Sequence, residues 1–171
     1  ASLQINPYYG KTSEDGLINH FDKVLEIGPA IIYNVPSRTS QDITIDIMTQ
    51  LSDNKNFVGV KECMGRDRIQ EYSDRNIITW SGNDDECHDT RHENGCNGVI
   101  SVTSNIIPAY FRKMMDEPSP EIKEKTEKLI NLLFRLPNPI GINTLMSMLG
   151  LCKPVCRLPY VELDSKTRKE A

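Results

Sequence analysis

Ala30-Ile31-Ile32-Tyr33-Asn34-Val35 and Phe57-Val58-Gly59-Val60-Lys61-Glu62 decide the fold class. Both are near-continuous apolar runs rather than strict in-and-out alternations, as strands read when a parallel sheet is covered on both faces. Working outward, Ile77-Ile78-Thr79-Trp80-Ser81 and Gly98-Val99-Ile100-Ser101-Val102 have the same character, and the opening Leu3-Gln4-Ile5-Asn6 makes a fifth strand. Amphipathic stretches fill the gaps. Ser13 is placed to cap a helix that buries Leu17, Phe21, Val24 and Leu25 and ends at Gly28. Thr44 is placed to cap the next, over Ile47, Met48 and Leu51. Strands alternating with helices predict an α/β fold with a parallel sheet. Five strands suit either a small doubly wound sheet or part of a (β/α)8 TIM barrel, and composition does not separate the two.

After Val102 the strand pattern stops. Pro108 opens a helix carrying Tyr110, Phe111, Met114 and Met115, and Ser119-Pro120-Glu121 opens a long charged one running towards Phe134. A third runs from Ile140 to about Leu149 and ends at Gly150. On the barrel reading, residues 1–116 are the C-terminal part of the barrel, holding about its last five strands, and residues 117–171 are a helical C-terminal region. A complete barrel takes about 250 residues, so about three βα units would precede residue 1. The sheet would then have open edges, a reason not to expect the piece to be stable alone.

Bulk properties exclude several classes. With 171 residues the chain can bury a core, and a net charge of -4 gives no reason to expect nucleic acid or an anionic membrane as partner. No apolar run is long enough to span a bilayer. The five cysteines, at 63, 87, 96, 152 and 156, are an odd and scattered set. That argues for reduced thiols rather than a disulfide framework.

Lys61 is the sharpest anomaly, an amine late in an apolar strand where its charge is costly to desolvate. Glu62 cannot be its direct partner, because neighbouring strand side chains point to opposite faces. Desolvation favours neutral lysine, the form that attacks carbonyls; the blander reading is a strand-end lysine that snorkels to solvent. Tyr33 ends the preceding strand and emerges on the same rim, where a phenol can shuttle protons to a carbinolamine. Taken alone it also reads as a β-favouring core aromatic. Arg38, in Val35-Pro36-Ser37-Arg38-Thr39, sits in a rim loop stiffened by Pro36; its fork suits a carboxylate, or it is a solubilising surface residue. Tyr8 and Tyr9 close the first strand at that rim.

His88, His92 and Cys96 recur at four-residue steps and would stack on one helical face, a tempting zinc set. The stretch around them is rich in Asp, Glu, Asn and Arg, as an outward-facing solvated helix would be, so no metal site is expected. Ser81-Gly82-Asn83-Asp84-Asp85 reads as a rim loop.

Taken in order, Pro7-Tyr8-Tyr9-Gly10, Tyr33-Asn34-Val35-Pro36-Ser37-Arg38-Thr39, Gly59-Val60-Lys61-Glu62, Ser81-Gly82-Asn83-Asp84 and Gly98-Val99-Ile100-Ser101-Val102 resemble the dihydrodipicolinate synthase family. The likeness continues through Pro137-Asn138-Pro139-Ile140 and Arg157-Leu158-Pro159, and Tyr9-Gly10-Lys11-Thr12-Ser13 with Trp80-Ser81-Gly82-Asn83-Asp84-Asp85-Glu86-Cys87-His88-Asp89 look most like its plant, plastid form.

The resemblance implies a (β/α)8 barrel lyase of lysine (diaminopimelate) biosynthesis that condenses pyruvate with aspartate 4-semialdehyde. It works through a covalent imine, without a cofactor or metal, as a homotetramer. By this match Lys61 forms the imine, Tyr33 donates and accepts protons, and Tyr9 joins the relay across a dimer interface. Arg38 would receive the semialdehyde's carboxylate, Ile100 and Gly82 would line the pyruvate site, and Tyr8 would belong to the lysine feedback site. The chain would work in the plastid if plant-like, in the cytoplasm otherwise. Two departures from the pattern stand out. Ser40 stands where the family usually has glycine after the Arg-Thr pair. The family's threonine-rich loop, which by the resemblance holds pyruvate's carboxylate and completes the relay, would lie before residue 1, so this piece alone is expected to be inactive.

Two other readings stay open. A pyruvate-dependent aldolase acting on a sugar acid or sialic acid would use the same lysine and tyrosine, although Arg38 favours a short substrate with its own carboxylate. A non-catalytic scaffold could keep the barrel, although intact Tyr33 and Lys61 speak against it.

Overall fold

The computed structural model describes residues 1–170 and divides them into two compact units, Ala1–Ile100 and a second beginning at Ser101. In the first unit the order is β1 (Ser2–Ile5), α1 (Glu14–Ile27), β2 (Ala30–Asn34), α2 (Pro36–Thr39), α3 (Ile45–Leu51), β3 (Phe57–Glu62), α4 (Arg66–Asp74), β4 (Thr79–Ser81), α5 (Cys87–Glu93) and β5 (Gly98–Val99). The helix starts follow the sequence. The Ser13 hydroxyl accepts from the Gly16 amide at the head of α1, and the Thr44 hydroxyl from the Ile47 amide at the head of α3. Each satisfies a donor that the first helical turn leaves orphaned.

The sheet order is β1-β2-β3-β4-β5 with every pair parallel. This answers the question composition left open. A doubly wound sheet reverses its order at a switch point and carries helices on both faces. An unbroken sequential order with right-handed crossovers puts every helix on one face, which is how a (β/α)8 barrel is built. The five strands form an arc of such a barrel, with β1 and β5 each paired on one side only.

Alternation along the strands separates the two faces. Ala30 and Ile32 of β2 and Val60 of β3 face the helices, where they pack in one buried cluster with Leu17, Phe21, Leu25, Ile47, Met48, Leu51 and Tyr72. Tyr33 and Lys61 lie on the opposite face, lining the concave interior. Two strands are shorter than their sequence suggests. Ile77 and Ile78 precede β4, with the Ile77 amide bonded to the Tyr72 carbonyl at the end of α4, and beyond Val99 only Ile100 keeps a backbone bond to β4.

The second unit holds a 3-10 turn (Thr103–Asn105), α6 (Pro108–Asp116), α7 (Pro120–Phe134), α8 (Ile140–Met148) and α9 (Ser165–Glu170). Pro108 and Pro120 sit in the first turns of their helices, where a missing N–H costs nothing. Among the described residues, Phe111, Met114 and Met115 of α6, Ile122, Ile130 and Leu133 of α7 and Ile142 of α8 are its buried apolar side chains. Gly141 lets α8 approach closely: a Cβ there would fall 2.3 Å from the Leu133 carbonyl oxygen.

Candidate active site

β2 and β3 deliver the two central side chains. Tyr33 lies opposite Lys61 in the parallel pairing, and Asn34 opposite Glu62. Lys61 Nζ stands 4.2 Å from the centre of the Tyr33 ring, a cation held over a π face. Glu62, as alternation demands, points the other way and is fully buried on the helix side.

Burial holds the Lys61 amine below the ordinary lysine pKa, and the positive charge of Arg38 acts in the same direction, against the opposing pull of Cys63 and Asp84. Burial, followed by the neighbouring Cys63, pushes the Tyr33 phenol above its usual range. The amine is thus more readily neutral and the phenol keeps its proton. Those are the states needed in a nucleophile and a proton donor.

Glycines make room around this pair. Trp80 lies opposite Lys61 on β4. A Cβ on Gly59 would come 2.9 Å from the edge of the Trp80 ring, and one on Gly98 would come 3.1 Å from it. Gly82 follows β4; a Cβ there would sit 2.2 Å from Cys63 Sγ and 3.1 Å from Lys61 Cε. Cys63 is a site residue that sequence reasoning missed. Two positions beyond Lys61 it shares that lysine's face, its Sγ lies 3.8 Å from the Tyr33 hydroxyl, and burial raises its pKa so that it stays a thiol. The signal was present in the spacing, since period two on a strand selects Cys63 once Lys61 is chosen.

The other expected residues fall at different distances from this centre. Arg38 is exposed. Its segment is a single helical turn rather than an irregular loop, because Pro36 starts a helix and Ser40, in the left-handed region at φ 61°, ends it. The Ile100 amide donates to the Ser81 carbonyl at 3.0 Å, placing its backbone beside the Ser81-Gly82 turn. Tyr8 is exposed, near enough to affect the Tyr33 phenol electrostatically. Tyr9 is 99% exposed at a strained φ of 66°, so its ring meets almost nothing within this chain. The structure therefore gathers Tyr33, Lys61 and Gly82, and leaves Tyr9 outside.

The histidine stretch is not the solvated helix its composition suggested. Cys87, His88 and Thr90 are buried in α5, and that helix ends at Glu93, so Cys96 lies beyond it. Cys96 is buried against the strands, with Sγ 3.4 Å from the Thr79 carbonyl. The polar residues of the stretch work in ion pairs: Arg66 of α4 bonds Asp89 and Glu93. The His88 and His92 rings meet at a tilt with their centres 4.7 Å apart, but among the described residues no three His, Cys, Asp or Glu side chains are grouped to hold a metal. All five cysteines are free.

The family model described as "Dihydrodipicolinate synthetase family" matches residues 1–171, the whole chain that carries this lysine–tyrosine pair. The chain belongs to the dihydrodipicolinate synthetase family. It is 52% identical over 170 residues to the chloroplastic 4-hydroxy-tetrahydrodipicolinate synthase 1 of Arabidopsis thaliana, covering 99% of this chain and 47% of that protein. The crystal structure of dihydrodipicolinate synthase from Aquifex aeolicus superposes with a TM-score of 0.92 at 33% identity, over 98% of this chain and 62% of the other. The chloride-inhibited enzyme from Acinetobacter baumannii, solved in complex with pyruvate, gives 0.91 at 30% identity over the same shares. The chain spans about half the length of the curated relatives it matches.

Proposed function

We propose that this chain carries the Schiff-base chemistry of a 4-hydroxy-tetrahydrodipicolinate synthase, joining pyruvate to aspartate 4-semialdehyde in lysine biosynthesis within the plastid. The observation that carries it is the partly buried Lys61 amine, 4.2 Å from the centre of a phenol whose proton is retained. Neutral Lys61 attacks the keto carbon of pyruvate to give a carbinolamine. Tyr33 supplies the proton that lets hydroxide leave as water, and the imine forms. The imine draws electrons from the pyruvate methyl group, which loses a proton to become an enamine. That carbon attacks the aldehyde of the semialdehyde, and the new alkoxide takes a proton through Tyr33. The product's own amine then closes the ring and releases Lys61. No separate cofactor is called for, because the lysine is the electron sink's anchor.

The remaining assignments follow the family resemblance. Arg38, exposed beside the pair, receives the semialdehyde carboxylate as a planar fork suits. Gly82 and the Ile100 backbone line the pyruvate site. Tyr9, strained and fully presented, extends the proton relay to a second subunit, and Tyr8 contributes to a lysine feedback site in a homotetramer. Incubating the complete protein that carries this sequence with pyruvate and borohydride tests the core of the reading. A reduced pyruvoyl adduct on the Lys61 peptide is the expected mass, and Lys61→Met removes it. An adduct on another lysine, or none, defeats the proposal. Assaying aspartate semialdehyde against sugar aldehydes then separates this enzyme from a sister aldolase.

A further inference from the structure

Behind the catalytic face lies a charged network that the proposed chemistry does not use. Glu62 ends β3 with no exposed surface, and Asn34, opposite it on β2, is equally buried. The Asn34 amide nitrogen lies 3.1 Å from both Glu62 carboxylate oxygens and 2.7 Å from Asp42 Oδ1. Glu62 Oε1 also accepts from the Cys63 and Met64 backbone amides, each at 2.8 Å. Asn34 Oδ1 accepts from the Ile43 amide at 3.0 Å, and Arg68 anchors the far end through Asp42 at 2.8 Å.

Stability alone does not account for this arrangement. Most of the helix-side packing here is apolar, with the Phe21 and Tyr72 rings among it, and buried ionic groups give no more stability, often less, than well-packed apolar residues of the same size. What the network does uniquely is geometric. Asn34 and Glu62 are the residues immediately after Tyr33 and Lys61, so their bond locks the rung next to the one that sets phenol against amine. A slip of one residue between the two strands would turn one of the two reactive groups to the wrong face. The same carboxylate also fixes the chain direction at Cys63, whose thiol meets the Tyr33 hydroxyl.

We propose that the buried Asn34–Glu62 pair, tied to Arg68 through Asp42, is a positioning device for the imine-forming step, holding the ends of β2 and β3 so that Lys61 meets substrate beside the Tyr33 phenol. It rests on the reading of Lys61 as the imine-forming residue. Glu62 and Asn34 touch no substrate; they act through the two residues that do. A displacement of about 1 Å between reacting groups is enough to slow a reaction about a hundredfold.

The test uses the complete protein with two variants. Glu62→Gln keeps the shape but sets an amide against the Asn34 amide, and Glu62→Met keeps the volume and removes the polarity. The rate of borohydride-trapped imine at saturating pyruvate is measured per folded molecule, beside the pyruvate KM and the thermal midpoint. The expected result is a fall in trapping rate of about ten- to a hundredfold in both variants, with KM changed by no more than about threefold, and a lower thermal midpoint in Glu62→Met, which leaves the Cys63 and Met64 amides without their acceptor. Trapping at the parental rate in the folded variants overturns the proposal. So does unfolding of both variants, or a loss that only follows the loss of folded protein, since either makes the pair a structural tie. A parent that traps no imine sinks the Lys61 reading and this one with it, whereas a trapping parent matched by its variants sinks only this one.

Discussion

Adding one methyl group at Gly82 should damage the site in a way that a second, distant-in-sequence substitution repairs. A Cβ at this position would lie 2.2 Å from Cys63 Sγ, 3.1 Å from Lys61 Cε and 3.2 Å from the Glu62 carbonyl oxygen. The first contact is more than about 1 Å short of the roughly 3.5–4.0 Å at which non-bonded heavy atoms rest. The turn cannot simply move away, because the Gly82 amide is bonded to that Glu62 carbonyl at 2.7 Å. The thiol must therefore yield, and with it the Tyr33 contact and the lysine stem. Overpacking of this kind costs about 1–3 kcal/mol. For a protein of this size that lowers the thermal midpoint by about 2–12 °C. Displacing the amine by about 1 Å slows imine formation by about a hundredfold. Deleting the sulfur with Cys63→Ala removes the 2.2 Å contact and leaves the milder two. The double variant Gly82→Ala/Cys63→Ala should then trap pyruvate within a few-fold of Cys63→Ala alone, a coupling that independent sites do not show. Differential scanning fluorimetry and borohydride trapping read the two effects. If Gly82→Ala behaves like the parent, or if losing the sulfur restores nothing, the close packing of Gly82, Cys63 and Lys61 is not what shapes this site.

Tyr33→Phe keeps the ring beneath the amine but removes the proton carrier, so imine trapping should slow by about 10²–10⁴-fold with the fold intact by circular dichroism; a loss of less than about tenfold would deny the phenol its role. Imine formation should rise with pH as Lys61 gives up its proton, with a midpoint below that of an ordinary lysine. Arg38→Ala removes a charge that favours the neutral amine and should shift that profile towards alkaline pH; an acid shift would contradict the electrostatics. Ser40 occupies the left-handed region at φ 61°, which costs an L-residue about 1–2 kcal/mol, so Ser40→Gly should raise the thermal midpoint by about 1–4 °C after the entropy of the unfolded glycine is counted. A lower midpoint would mean that the Ser40 side chain holds the turn in place.

The strands, the helix caps and the candidate lysine could all be read from local chemistry, since each depends on residues within a turn or a pleat of one another. Ser13 and Thr44 announced their helices because a capping hydroxyl acts over three residues. Lys61 stood out because an amine in an apolar strand is costly wherever that strand lies, and the alternation that set Glu62 on the other face needed no partner to be known. The histidine stretch misled for the complementary reason. Its composition is polar, but whether α5 faces solvent depends on what packs over it, and the ion pairs from Arg66 are non-local.

The sequence by itself determined that parallel strands and helices alternate, and which strand carries an amine that is costly to desolvate. Both follow from periodicity and desolvation acting along a few residues of chain. Only the tertiary structure decided between a doubly wound sheet and a barrel arc, because strand order is a matter of which strands bond, not of what each is made from. Only it could show that Cys63 and Gly82 close around Lys61, or that Asn34 and Glu62 bind each other behind the site. Those contacts join residues about 20 to 30 positions apart, and no local propensity records a meeting that the pairing register alone brings about.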